Sequence, residues 1–310
     1  MIKEIAYESH EEWLKLRREL GIGGSEAGAI VGLNPYQSAY SLWAEKTGKI
    51  EGFEGNLTTE VGSYLEEFVA KLFERETGKK VRRKNRMLVN DKYPWAFANV
   101  DRLIVGENAV LEIKTTNSLP NMKRFAKGEY PEQWYCQMTH YLGVGEYDKA
   151  YLAVLVNCRE FKLFELERDE AEIESLMSAE EDFWRLVKSD TPPEADGSEA
   201  TSKALSEVFS TSDGSSVNLM GYENDMEQYM ALSKQISELT KLKDGLGNRI
   251  KAFMGNAAKG ESTHYKVSYT SSERRSFDKG KFTSAHPNIA LDDFYKVTAS
   301  RTFRITEKGE

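Results

Sequence analysis

Asp101 and the run Leu111-Glu112-Ile113-Lys114 are the residues in this chain with the most chemistry to offer. On an extended strand, positions two apart share a face. Glu112 and Lys114 therefore point one way, and Leu111 and Ile113 the other. A carboxylate among aliphatic neighbours is costly unless something positive meets it. A hard divalent cation does so, and oxygen ligands suit Mg²⁺. Asp101 lies one hairpin away and can supply a second oxygen. Lys114 then sits beside the metal, placed to hold or help activate a water. The pattern is short, and a surface salt bridge on a hairpin also satisfies it.

Three further groups bear on the choice. In a helix over 59–77, Glu66 shares a face with Gly62, Val69 and Phe73, at the border of the apolar stripe, whereas Glu67 shares its face with Lys71 and Glu74. Glu66 is thus either a carboxylate compensated at the site or a snorkelling or salt-bridged helix acid. Gln137 and Tyr141 are i and i+4 on a later helix and can present an amide and a phenol to a phosphodiester. Gly21 to Ser25 sets backbone N–H groups and a hydroxyl at a helix start, an anion site in principle and otherwise a plain glycine turn. Between Arg75 and Arg86 there are seven basic residues against one acid. Arg82, Arg83 and Lys84 in this run are candidates for the DNA backbone, a contact that should be salt-sensitive. Together the parts describe metal-assisted phosphodiester cleavage, in which a cation lowers the pKa of a bound water and Lys114 orients it.

The elements that must position these groups are legible from capping and periodicity. Ser9-His10-Glu11-Glu12 has the form of a capping box opening a helix through Leu20. Ser38 caps a helix ending near Thr47, and Gly78 closes the 59–77 helix. The period then changes to two: strands over 96–105 and 109–116 flank a turn at Gly106-Glu107-Asn108. Pro131 opens a helix to about Val144. Strands over 151–156 and 161–165 and a helix over 168–188 follow. This order predicts an α/β domain over 1–189, with helices on a short central mixed sheet, and the chemistry above would make it a nuclease domain. Residues 190–220 (TPPEADGSEATSK, then STSDGSS) have linker composition. Over 221–310 a helical and small α+β extension is expected. It carries an apolar seam through Tyr229, Leu232, Ile236, Leu239, Leu246, Ile250 and Phe253, interrupted by Gly245 and Gly247. Strands are expected over 264–270 and 302–305.

Composition bounds the class. The 310 residues are 40% apolar and 30% charged, enough for a core with polar extensions, and no apolar run is long enough to span a membrane. Two cysteines cannot build a disulfide framework or a four-cysteine metal site. A soluble, reduced, cytoplasmic protein is expected. The net charge of −8 argues against a protein that coats DNA generically, but a local basic groove is compatible with it.

The ordered set Gly-Ile-Gly-Gly-Ser-Glu-Ala at 21–27, the Gly-x-x-Leu-Glu helix at 62–66, Asp101 with Glu112-x-Lys114, and Gln137-x-x-x-Tyr141 resembles the YqaJ family of phage-type recombination exonucleases. These are similar to lambda exonuclease and have the restriction-endonuclease-like PD-(D/E)xK fold. The resemblance covers about residues 9–165, and the tail to Arg304 more loosely. It implies a 5′→3′ exonuclease on linear double-stranded DNA, partnered with a single-strand annealing recombinase and in some members a trimer threaded by the duplex. It implies Mg²⁺, with Mn²⁺ able to substitute, held by Glu66, Asp101, Glu112 and the Ile113 carbonyl. Lys114 would be the catalytic lysine, Gln137 would align substrate or water beside Tyr141, and Arg17 and Ser25 would grip the DNA 5′-phosphate. Val100 stands where the motif's name has proline. The alternatives are a related Gln-x-x-x-Tyr nuclease with endonuclease activity, whose relatives often carry a four-cysteine iron–sulfur cluster, and a non-catalytic DNA-binding scaffold.

Overall fold

The computed structural model describes residues 1–53, 55–291, 294–296 and 300–306. The first unit, residues 1–210, contains in order β1 (Ile2–Ile5), α1 (His10–Leu20), β2 (Ile22–Gly23), α2 (Gly24–Ile30), α3 (Ala39–Lys46), α4 (Leu57–Thr77), β3 (Val81–Arg83), β4 (Met87–Asn90), β5 (Tyr93–Ala98), β6 (Arg102–Ile104), β7 (Ala109–Thr116), α5 (Leu119–Phe125), α6 (Glu132–Gly145), β8 (Lys149–Val156), β9 (Glu160–Glu167), α7 (Glu170–Lys188) and α8 (Glu199–Val208). Helix ends follow their capping chemistry. Ser9 Oγ accepts the Glu12 N–H at the head of α1, and Asn56 Oδ1 accepts those of Thr58 and Thr59 at α4. α4 stops at Gly78, whose φ of 72° is left-handed.

The central sheet has the order β3-β6-β7-β8-β9; β7 and β8 are parallel and the other pairs antiparallel. α4 covers one face, with Val69, Ala70 and Phe73 in one cluster with Leu111, Ile113 and Ala153. On the other face Met138 and Leu142 of α6 join Val110, Leu152 and Val154. A strand covered on both faces reads as a continuous apolar run, and in 109–113 only Glu112 breaks it.

A second sheet, β1-β4-β5-β2, goes beyond the single sheet expected. The strand expected over 96–105 is in fact two: β5 ends in the second sheet and β6 begins in the central one. Asn99, Val100 and Asp101 carry the chain between them. Asp101 Oδ2 takes the Ile113 N–H at 2.8 Å, so β7 meets a side chain where a longer β6 would have offered a carbonyl.

Residues 190–220 are not uniformly the linker that composition indicated. Within them α8 is capped by Ser198, Thr201 Oγ1 donates to Ser38 Oγ at 2.7 Å, and Ala204 is buried with Tyr40 and Trp43. The short polar residues that looked like linker composition make caps and an interhelix hydrogen bond.

The second unit, from residue 211, contains α9 (Glu223–Met254), the hairpin β10 (Lys259–Glu261) and β11 (Lys266–Ser268), and α10 (Lys279–Ala285). α9 is one helix of 32 residues. Each of its glycines costs about 1 kcal/mol relative to alanine, too little to break so long a ladder. The strand expected over 264–270 is present as the shorter β11, paired with β10, and residues 302–305 form no strand. Among the described residues no helix is long and apolar enough to cross a membrane.

Candidate active site

β7 and α6 bring four of the expected residues into one buried network. Lys114 Nζ lies 2.6 Å from Glu112 Oε1 and donates to Gln137 Oε1 at 2.9 Å. Gln137 Nε2 donates to Glu112 Oε1 at 2.8 Å and to the Tyr141 hydroxyl at 2.9 Å. The Tyr141 hydroxyl donates to the Asn99 carbonyl at 3.0 Å. Period two on β7 and the i,i+4 spacing on α6 are what make these side chains meet. Asp101 approaches from the open edge of β7 through the Ile113 N–H. A strand residue's N–H and C=O project from the same edge, so the Ile113 carbonyl lies on the side of Asp101.

The charges here are mutually perturbed. Burial, with the carboxylates of Glu112 and Glu66 nearby, pushes the Asp101 carboxyl well above its usual range. Burial alone would lower the Lys114 ammonium, but Glu112 and Asp101 outweigh it and raise its pKa. Burial and the same two carboxylates push the Tyr141 phenol up. Glu112 Oε2 is buried without a hydrogen-bond partner. An orphaned carboxylate oxygen, with the half-buried Asp101 carboxyl and a strand-edge carbonyl nearby, is a donor set for a hard cation.

Glu66, a cation ligand by the family resemblance, is a salt-bridged helix acid here. It pairs with the buried Arg102 guanidinium, which also meets Glu67 Oε2 at 3.2 Å. Among the described residues no three acidic, histidine or cysteine side chains stand in metal-ligating geometry. The oxygens that fit a cation are those of Asp101, Glu112 and Ile113, with Glu66 near enough to act on Asp101 through its charge. Mg²⁺ commonly takes one or two carboxylates and fills its shell with water and substrate phosphate, so this smaller set suits it.

Arg17 and Ser25 come together across the glycine turn, with Arg17 Nη2 3.1 Å from both Ser25 Oγ and Glu26 Oε1. Lys46 Nζ reaches Glu26 Oε2 at 2.8 Å. Two cations share one buried carboxylate, which they hold below its usual range although burial alone would raise it. Arg18 is exposed. The turn does not expose all its N–H groups, because that of Gly23 donates to Glu26 Oε2 at 2.9 Å. Its glycines answer to close approach: a Cβ on Gly24 would lie 2.6 Å from Tyr141 Cε1, and one on Gly21, where φ is +126°, 1.9 Å from the Trp95 carbonyl oxygen. The Gly24 contact sets the Arg17–Ser25 turn directly against the Gln137–Tyr141 network.

The basic run does not form a single track. Arg82 and Arg83 are successive on β3 and so project from opposite faces. Arg83 pairs with Glu67 at 3.1 Å, Lys84 pairs with Glu4, and Arg82 is exposed. Sequence spacing also missed three groups. Arg102 draws Glu66 aside, and the buried Glu26–Lys46 pair underlies the turn; the one signal for the latter was an acid inside the small-residue run GSEAGAI. The third is His140, whose Nδ1 lies 2.8 Å from Glu180 Oε1 and whose Nε2 lies 2.9 Å from the Phe97 carbonyl. Burial would lower the His140 pKa, but Glu180 and the two hydrogen bonds carry it up.

A mixed sheet flanked by helices, with Glu112 and Lys114 on β7 and Asp101 in the link ahead of β6, is the restriction-endonuclease-like PD-(D/E)xK fold. The alkaline exonuclease LHK-Exo from Laribacter hongkongensis superposes with a TM-score of 0.51 at 18% identity, covering 58% of this chain and 93% of that one. The same exonuclease in complex with dAMP gives 0.50 at 17%. The YqaJ-like viral recombinase domain matches residues 12–148. Over 305 residues the chain is 38% identical to the uncharacterized protein YqaJ of Bacillus subtilis (strain 168), covering 96% of this chain and 95% of that one. The chain belongs to the YqaJ-like viral recombinase family.

Proposed function

We propose that this protein is a Mg²⁺-dependent exonuclease that degrades one strand of linear duplex DNA from its 5′ end. The observation that carries the reading is the Glu112–Lys114–Gln137 triangle, in which one buried Glu112 carboxylate oxygen has no hydrogen-bond partner and the Asp101 carboxyl lies near enough to feel its charge. Asp101, Glu112 and the Ile113 carbonyl would hold the cation, and Mn²⁺ should substitute. When bound, it would lower the pKa of a water and offset charge on the phosphorane-like transition state. Lys114, kept protonated by its two acids, orients the water and carries charge toward the scissile phosphate. Gln137 locks Lys114 to Glu112, and Tyr141 fixes Gln137. Arg17 and Ser25 hold a terminal 5′-phosphate, since two cations against one acid leave positive charge beside an exposed hydroxyl. Arg82 is the residue of the basic run free to meet the DNA backbone. The product would be a 3′ single-stranded tail for a single-strand annealing recombinase, in keeping with a viral recombinase family.

The test is loss of linear duplex DNA with Mg²⁺, in the presence and absence of chelator, beside a closed circle. Wild type should consume the linear molecule and spare the circle. Glu112→Gln should be inactive, because the orphaned oxygen becomes an amide. Near-normal cleavage by Glu112→Gln, or activity in excess chelator, overturns the assignment; cutting of the circle would favour an endonuclease.

A further inference from the structure

α9 carries an interaction surface that the nuclease reading does not use. Tyr229, Leu232, Ile236, Leu239, Leu246, Ile250 and Phe253 recur at alternating spacings of three and four, and Lys243 fills the one seam position that lacks an apolar residue. That is a heptad a/d seam of period 3.5. All seven are exposed, and α9 buries none of its residues. The seam runs for about 36 Å at ~1.5 Å per residue. Its Tyr229 end touches the Phe303 ring edge-on at 5.7 Å and is still exposed.

Charge and seam chemistry select the occupant. The first half of α9 holds Glu223, Asp225, Glu227 and Glu238 against one base, Lys234. The second half holds Lys241, Lys243, Arg249 and Lys251 against one acid, Asp244. A second α9 running antiparallel sets each acidic half against a basic half, whereas a parallel copy sets like against like. Inverting the helix about Lys241 places Leu232 opposite Ile250, Ile236 opposite Leu246 and Leu239 opposite Lys243. In a parallel pair the two Lys243 ammoniums would face each other in one layer. In the antiparallel pair each Lys243 stem lies over a leucine and its head reaches solvent. The positions flanking one side of the seam, Ser233, Thr240 and Gly247, are small enough for close approach.

We propose that α9 is a self-association surface through which two copies of this chain pair as an antiparallel coiled coil. The test uses the full chain with Cys158→Ser, which removes the exposed thiol and leaves only the buried Cys136. Chains carrying Leu232→Cys and Ile250→Cys are mixed under oxidised glutathione. The expected product is the mixed 232–250 disulfide, at least tenfold over either homodisulfide. Light scattering of an Ile236→Glu/Leu239→Glu chain should give half the wild-type mass, with helicity retained because glutamate is a good helix former. A dominant 232–232 disulfide, no disulfide, or an unchanged mass in the double variant overturns the proposal. An unchanged mass is also what a seam reserved for a different protein would give.

Discussion

Replacing Arg17 with alanine tests the 5′-phosphate site with a magnitude that the structure supplies. Two unit charges about 4 Å apart at an effective dielectric near 20 interact by about 4 kcal/mol. Arg17 and Lys46 share the single Glu26 carboxylate, so about half of the Arg17 charge is uncompensated. Halving the interaction leaves about 2 kcal/mol for a phosphate beside Ser25, inside the ~1.5–3 kcal/mol typical of charge-assisted hydrogen bonds. That corresponds to about a 30-fold preference for 5′-phosphorylated over 5′-hydroxyl ends, at ~1.4 kcal/mol per tenfold. The assay compares kcat/KM on the two linear duplexes for wild type, Arg17→Ala and Arg18→Ala. Arg17→Ala should bring the ratio near one and leave the rate on hydroxyl ends almost unchanged, because Glu26 keeps Lys46 and the Gly23 N–H. Arg18→Ala should keep the wild-type ratio, since that side chain is exposed and outside the cluster. A wild type indifferent to the phosphate, or a preference that Arg18→Ala erases, refutes the reasoning.

Lys114→Ala should lower kcat by about 10²-fold or more with little change in KM, because its charge acts on the transition state; an equal loss of DNA affinity would reduce Lys114 to a phosphate contact. Gly24→Ala drives a Cβ to 2.6 Å from Tyr141 Cε1 and should cost about 1–3 kcal/mol in chemical denaturation; an unchanged midpoint would mean the turn and α6 move apart freely. The Asp101 carboxyl titrates above its unfolded value near ~3.9, so its contribution is full below that pH and is lost as pH rises through the folded value. In chelator, Asp101→Asn should therefore gain stability over wild type as pH rises, and Mg²⁺ should stabilise wild type more than the variant; thermal melts that stay parallel across pH would contradict this.

The parts of the site visible in the sequence are those governed by local periodicity. Glu112 with Lys114, and Gln137 with Tyr141, needed only the repeat of a strand and of a helix, and that these two pairs meet follows from α6 covering β7. What sequence spacing could not provide was partner choice across the fold. Glu66 borders the apolar stripe of α4 as its register indicated, yet it turns to Arg102, 36 positions away in the chain. The basic run showed its sign but not its facing, because alternation on β3 sends Arg82 and Arg83 to opposite sides. The second sheet was hidden for a similar reason. Residues 96–105 carry the strand formers Phe97, Val100, Leu103, Ile104 and Val105 around Asn99 and Asp101, and the bonds made between β5 and β6, from Tyr141 to the Asn99 carbonyl and from the Ile113 N–H to Asp101, come from elements distant in the chain. α8 was hidden by composition, since Ser198 and Thr201 are residues equally at home in a linker.

Neighbouring residues of α6 close off two carbonyls at the end of β5: His140 takes that of Phe97, and Tyr141 takes that of Asn99. Asp101 lies two residues beyond Asn99 and inherits its position from that clamp. The hairpin that carries Asp101, Glu112 and Lys114 is therefore not a transplantable cassette. Grafted alone onto another sheet it would bring the acids and the lysine but not the anchor that aims Asp101 at β7. The smallest portable unit is β5 through α6, with Glu180 of α7 behind it. Within that unit, substitutions at His140 or Glu180 would register as altered affinity for the proposed cation, although neither would contribute an oxygen to it.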